Sequence, residues 1–171
     1  KLSKAEAVSM VAGRLIDELI MRSHRDCGYR HYYDIALLGY SKDKVYSLLG
    51  EEVAFYPITM LAGRYVRRVP YTLTYNTLNC GLQNFCEEVS MWVEPCSQGA
   101  TPMFKMISCV TDLVAKWCAK AENRDSFPPL VFNVTDGEAS DANYEMLCNE
   151  ALRLRQTGTN DGNTLFINVH I

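Results

Sequence analysis

The C-terminal half of the chain alternates amphipathic segments with short apolar ones, and this alternation constrains the fold more than any other feature. Apolar residues recur at helical spacing from Met106 to Ala121, and again over residues 142–156. Two apolar runs, residues 130–134 and 164–171, are typical of strands. Strands that alternate with helices of crossover length predict an α/β fold with a largely parallel sheet.

The N-terminal part is predicted to add a helix and a hairpin. Residues 4–23 place apolar side chains three and four positions apart with charged residues between them, which predicts an amphipathic helix. Residues 32–40 and 45–49 are apolar runs on either side of the polar turn at residues 41–44. A β-hairpin is the simplest interpretation of this pattern.

Residues 50–98 carry weaker signals. Tyr71, Leu73 and Tyr75 alternate with threonines, which predicts one short strand. The basic and aromatic residues 64–75 are of a type that contacts nucleic acid, but a solvated surface is favoured because the net charge of the chain is −3. We therefore expect a single domain over residues 1–171, with residues 50–98 as an irregular excursion within it.

Composition excludes several classes of protein. The chain has 171 residues, of which 48% are hydrophobic and 22% charged, as in one globular domain. No apolar run reaches the roughly 18 residues of a membrane helix. The seven cysteines include no CxxC pair, and zinc is a minor alternative at His24, Cys27 and His31. We expect a cytoplasmic protein that binds neither membrane nor nucleic acid.

Thr101 and Asp136 are the candidate site residues. Thr101 precedes Pro102 at the predicted start of a helix, and Asp136 follows a predicted buried strand and precedes Gly137. Ligands of parallel sheets bind at the carboxyl ends of the strands, and a hydroxyl with a carboxylate suits a hard cation such as Mg²⁺. The alternatives are a helix N-cap for Thr101 and a turn residue for Asp136, while Ser140 or Asp141 is expected to cap the next helix.

The sequences Gly99-Ala100-Thr101-Pro102-Met103 and Val134-Thr135-Asp136-Gly137-Glu138 resemble two loops of the von Willebrand factor A (vWA) domain family. The similarity is closer to its bacterial intracellular members than to integrin-like adhesion domains. It implies a three-layer Rossmann-like fold, with a mostly parallel central sheet, one antiparallel edge hairpin and helices on both faces. It also implies a metal-ion-dependent adhesion site (MIDAS) that holds Mg²⁺ or Mn²⁺, with Thr101 and Asp136 as ligands from its second and third loops.

One part of the family pattern is missing. The first loop of the family carries an Asp-x-Ser-x-Ser motif, which occurs nowhere in these 171 residues. In the family this motif precedes the first helix, which is predicted here to begin near Ser3. A further strand and helix follow the position of Ile171 in the family. We therefore expect a domain that is incomplete at both ends and a site that binds metal weakly.

The leading hypothesis is a protein-interaction module whose protein partner presents a carboxylate to the metal, with no catalytic residue. A Mg²⁺-dependent phosphoryl-transfer or hydrolytic enzyme that uses Asp136 as a metal ligand is the first alternative. A metal-free scaffold is the second. Self-association is left open by the sequence.

Overall fold

The computed structural model describes residues 3–77, 81–94, 99–135 and 137–170. Its elements in chain order are α1 (Lys4–Ser23), β1 (His24–Arg25), β2 (Gly28–Tyr29), β3 (Asp34–Ile35), β4 (Leu38–Ser41), β5 (Lys44–Ser47), β6 (Tyr56–Pro57), α2 (Ile58–Leu61), β7 (Arg67–Thr77), β8 (Gly81–Met91), α3 (Met103–Cys118), a 3₁₀ turn (Ala121–Asn123), β9 (Leu130–Thr135), α4 (Tyr144–Gln156), β10 (Gly158–Thr159), β11 (Gly162–Asn163) and β12 (Leu165–His170).

The chain forms two compact units, each made of two segments. The first unit combines Lys1–Ile35 with Tyr56–Cys96, and the second combines Ala36–Phe55 with Ser97–Ile171. Of residues 50–98, expected to be an irregular excursion, the described residues 56–94 thus belong to the same unit as α1, and residues 50–55 belong to the second unit.

The first unit consists mainly of α1 packed on the β7–β8 hairpin. Helix α1 begins with a capping box, in which the Ser3 hydroxyl accepts from the Glu6 N–H and the Ser3 N–H donates to Glu6 Oε2. Met10 packs with Val89 and Met91 in the core of this unit. Each strand of the hairpin is 11 residues long, and the register runs from Arg67 opposite Met91 to Thr77 opposite Gly81.

The second unit packs α3 and α4 on one face of a parallel strand pair. Its buried core consists of Met106, Ile107, Val110, Val114 and Leu154. Strands β9 and β12 run parallel from Leu130 opposite Leu165 to Thr135 opposite His170. Val131 and Phe166 pack against this core from the two strands.

The predicted fold class is wrong. The described strands form six two-stranded sheets, of which only β9–β12 is parallel, and no extended parallel sheet joins them. The three-layer Rossmann-like architecture with a mostly parallel central sheet is therefore absent from the described residues. Periodicity identifies the elements, but it does not specify which strands exchange backbone hydrogen bonds, and most of these strands pair with a neighbour in sequence.

Several local predictions agree with the structure. The helix expected over residues 4–23 is α1, and the hairpin expected from the polar turn is β4–β5, with Tyr40 opposite Val45. The apolar run at residues 130–134 is β9. The short strand expected around Leu73 is instead one arm of the longest hairpin in the described chain.

Candidate functional site

The carboxyl end of the parallel strand pair is where the sequence predicted a site. Strand β9 ends at Thr135, whose hydroxyl lies 3.3 Å from both the N–H and the carbonyl oxygen of Gly137. Asp136, the predicted carboxylate ligand, lies outside the described residues.

Thr101 lies against the segment that follows β9. A Cβ built on Gly137 would be 3.0 Å from Thr101 Oγ1, so these two residues are in close contact. The Ser140 N–H donates to the Thr101 carbonyl oxygen over 3.0 Å. The structure thus brings together the two loops that the sequence paired, although they do not follow neighbouring strands of an extended parallel sheet.

The N-terminus of α3 is capped by a residue distant in sequence. Asp141 accepts hydrogen bonds from the N–H groups of Phe104, at 3.0 Å, and Lys105, at 2.9 Å. The predicted N-cap, Thr101, makes no such bond, because the helix begins only at Met103. Asp141 was expected to cap α4, but Asn143 performs that role through a 2.9 Å bond from the Met146 N–H.

The turn of the β4–β5 hairpin also reaches this loop. The Lys42 N–H donates to the Ala100 carbonyl oxygen over 3.0 Å, and Lys105 Nζ donates to the Asp43 carbonyl oxygen. The Lys42 and Lys105 side chains are both exposed. Two cations therefore border the loop that holds Thr101.

These residues do not fit a complete divalent-cation site. Mg²⁺ prefers an octahedral shell of oxygen ligands. Among the described residues no group of three or more His, Cys, Asp or Glu side chains could hold a metal ion. Asp141, a carboxylate on the segment that contacts Thr101, is bonded to the helix terminus. The described structure does not bring His24, Cys27 and His31 together as such a group, and His31 Nε2 lies 2.6 Å from Asp34 Oδ1.

Two of the described thiols lie in surroundings that make them poor nucleophiles. Burial raises the pKa of Cys109 and of Cys118, which disfavours the reactive thiolate. A hydrogen bond with Cys148 raises the pKa of Tyr144.

The exposed side of the parallel pair is the feature that the sequence analysis missed. Alternation places one set of apolar side chains on the face opposite α3 and α4, and this set is exposed: Leu130, Phe132, Leu165, Ile167 and Val169. We call these five residues the open face. Their exposed fractions range from 37% to 53%. Continuous apolar runs predicted strands buried on both sides, so no sequence signal separated the covered face from the open one.

Comparison with protein-family models, curated proteins and solved structures finds no match to this chain. The resemblance to the vWA family therefore depends on the loop sequences alone. In the described part of the chain, no helix combines the length and the apolar character required to span a membrane.

Proposed function

We propose that this chain is a protein-interaction module that binds a protein partner over the open face and the adjoining Thr101 loop. The open face is the observation that carries the proposal. Parallel sheets in folded proteins are normally covered on both faces. Here five large apolar side chains on one face remain in contact with solvent, as is typical of a surface that another molecule covers.

The partner is expected to combine an apolar surface with a carboxylate. None of the five side chains of the open face is charged, so this face favours an apolar partner surface. At the carboxyl end of the strands, Thr101 supplies a hydroxyl, and the exposed Lys42 and Lys105 supply positive charge nearby. A carboxylate of the partner would interact favourably with this loop directly, without a bridging metal ion.

Paired peptides test this proposal by NMR. Short apolar peptides that carry one glutamate are titrated into the labelled chain beside identical peptides that carry glutamine. We expect the acidic peptides to shift the amide signals of Thr101, Gly137 and Ser140 and the methyl signals of Ile167 and Val169. The glutamine peptides should shift the methyl signals alone. Thr101→Val should weaken the response at the loop, and shifts confined to other parts of the chain would contradict the proposal.

A separate titration tests whether metal contributes. Thr101 and Asp136 together supply only two oxygen ligands, so Mn²⁺ should bind this chain with a Kd weaker than about 1 mM. Asp136→Ala should remove that residual binding. Asp161→Ala, which changes an exposed aspartate in the turn between β10 and β11, is the matched control and should leave it unchanged. Equal Mn²⁺ binding by the original chain and by Asp136→Ala would exclude Asp136 as a ligand.

A further inference from the structure

The distal part of the β7–β8 hairpin extends beyond the helix that supports its base. At the base, Val69, Tyr71, Val89 and Met91 pack around Met10 of α1. Residues 72–77 and 81–86 lie beyond this contact, and we call them the hairpin arm. Large apolar side chains of the arm are exposed, with Leu82 at 76% and Phe85 at 52%. A two-stranded hairpin without further packing is only marginally stable in water.

The register shows which backbone groups of the arm point outward. Antiparallel residue pairs alternate between those that exchange hydrogen bonds across the hairpin and those whose N–H groups point away from it. Pro70 has no N–H, so the pair that it forms with Glu88 is one whose residues exchange no backbone hydrogen bonds across the hairpin. Ser90 agrees with this assignment, because its N–H donates to Asp17 of α1 over 3.2 Å instead of to β7.

The same alternation continues along both strands of the arm. On β8, the N–H groups of Leu82, Asn84 and Cys86 point to the outer edge, and on β7 those of Thr72, Thr74 and Asn76 do so. Close cross-strand contacts support this pattern, since Thr74 Oγ1 donates to Asn84 Oδ1 over 2.8 Å. Within the described residues, neither strand pairs with a third.

The two outer edges are not equivalent. The edge of β7 is interrupted at Pro70, a common way of protecting an exposed edge from further pairing. Within the arm both rows are uninterrupted, but beyond it the β7 row stops at Pro70, whereas the β8 row includes one more outward N–H, that of Glu88, before α1 covers the edge at Ser90. The outer edge of β8 is therefore the better template for an added strand.

We propose that two copies of this chain pair antiparallel along the outer edges of their β8 strands. A two-fold axis brings identical surfaces together, so a net charge on the edge would face the same net charge on the other copy. Residues 72–77 and 81–86 contain no charged side chain, and this is the composition that self-pairing requires. The pairing would convert two marginal hairpins into one four-stranded antiparallel sheet.

The size of the arm sets the expected strength of this association. A stable interface buries about 800 Å² per partner and involves roughly 20–30 residues on each side. Residues 81–86, the part of the arm on the paired edge, supply only about a quarter of that number from each copy. We therefore expect a reversible dimer that forms with rising protein concentration, independently of the interaction module proposed above.

Sedimentation velocity under reducing conditions, from about 10 μM to about 1 mM, tests the pairing. The original chain should shift from monomer towards dimer across this range. Asn84→Pro removes an outward N–H of β8 without removing a hydrogen bond of the hairpin, and it should remain monomeric. Thr74→Pro makes the same change directly across the hairpin, on the edge of β7, and should dimerise like the original chain.

Two further variants keep the test decisive. Both proline variants lose the bond between Thr74 and Asn84, so Asn84→Ala controls for it and should still dimerise. Circular dichroism checks that each variant folds. If either proline variant unfolds, Asn84→Lys and Thr74→Lys are measured in place of the two proline variants. Only Asn84→Lys is then expected to lose the dimer. A chain that stays monomeric throughout the range would overturn the proposal. Equal behaviour of the folded β7 and β8 variants would overturn it as well.

Discussion

Single residues in this chain decide how closely its elements approach. Gly13 lies in the middle of α1 and is buried against β8. A Cβ at this position would overlap the carbonyl oxygen of Ser90, so only glycine permits the observed approach of helix and strand. Asp17, one turn further along α1, accepts from the Ser90 N–H and the Trp92 indole and fixes the same approach.

Gly13→Ala should therefore destabilise the protein. Helix propensity alone would stabilise it by about 1 kcal/mol, but the overlap with the Ser90 backbone should cost more, for a net loss of roughly 1–3 kcal/mol. The measurement is the free energy of unfolding in urea. Ala12→Gly, at a half-buried neighbouring position, should cost only about 1 kcal/mol and serves as the control. If Gly13→Ala were as stable as the original chain, α1 and the Ser90 backbone of β8 would have room for a Cβ between them, which contradicts this prediction.

At the scale of elements, some helix N-termini are capped by a neighbouring residue and one is capped by a residue distant in sequence. Helices α1 and α4 are capped locally, by Ser3 and by Asn143. Helix α3 instead takes its cap from Asp141, 37 residues away from Phe104. The sequence analysis assigned the N-cap of this helix to Thr101, because the residue just before a helix usually caps it. A carboxylate that arrives from another loop leaves no local pattern.

Replacement of Asp141 should weaken the unit that contains α3. Asp141→Ala removes both acceptors from the first turn of the helix and should cost about 1–2 kcal/mol of unfolding free energy, measured in urea. Asp141→Asn keeps one acceptor and should fall between the alanine variant and the original chain. Asn143→Ala removes a local cap of α4 and should show a loss of similar size. If Asn143→Ala is destabilising and Asp141→Ala is not, the long-range cap contributes nothing.

At the scale of the whole molecule, the strands in the described part of the chain form small separate sheets instead of one extended sheet. Among these residues the parallel pair is covered by α3 and α4 on one face only. Both faces of the pair carry large apolar side chains, so the sequence alone did not show which face is covered. Phe132 lies on the open face, whereas Phe166 packs towards the core. Exposure of the open face supports the interaction proposed for it.

This asymmetry predicts different responses to the same substitution. Phe166→Ala should cost about 2–4 kcal/mol of unfolding free energy, because its ring packs against the core of the second unit. Phe132→Ala should cost less than about 1 kcal/mol, since its ring is largely exposed. Phe132→Ala should also reduce the methyl shifts produced by the apolar peptides. Equal destabilisation by the two variants would mean that the open face is covered.

The sequence by itself determined the local elements. The spacing of apolar residues predicted α1, α3, α4 and the strand that begins at Leu130, because each pattern reflects which side of one element avoids water. The turn at residues 41–44 predicted the β4–β5 hairpin for a similarly local reason. The sequence predicted that Thr101 and Asp136 lie near each other; Asp136 is outside the described residues, but Gly137 and Ser140, which follow it, do lie against Thr101.

Only the tertiary structure decided how these elements combine. Strand pairing depends on backbone groups that every residue carries, so the sequence did not distinguish a largely parallel sheet from the six two-stranded sheets of the described residues. The cap of α3 by Asp141 arises from a contact between residues far apart in the chain, and the open face from the lack of a covering element among the described residues. The hairpin of β7 and β8 joins neighbouring strands, but the sequence pattern did not show its length or its partner strand. Side-chain patterns record burial within one element, whereas these features depend on which partner each element meets.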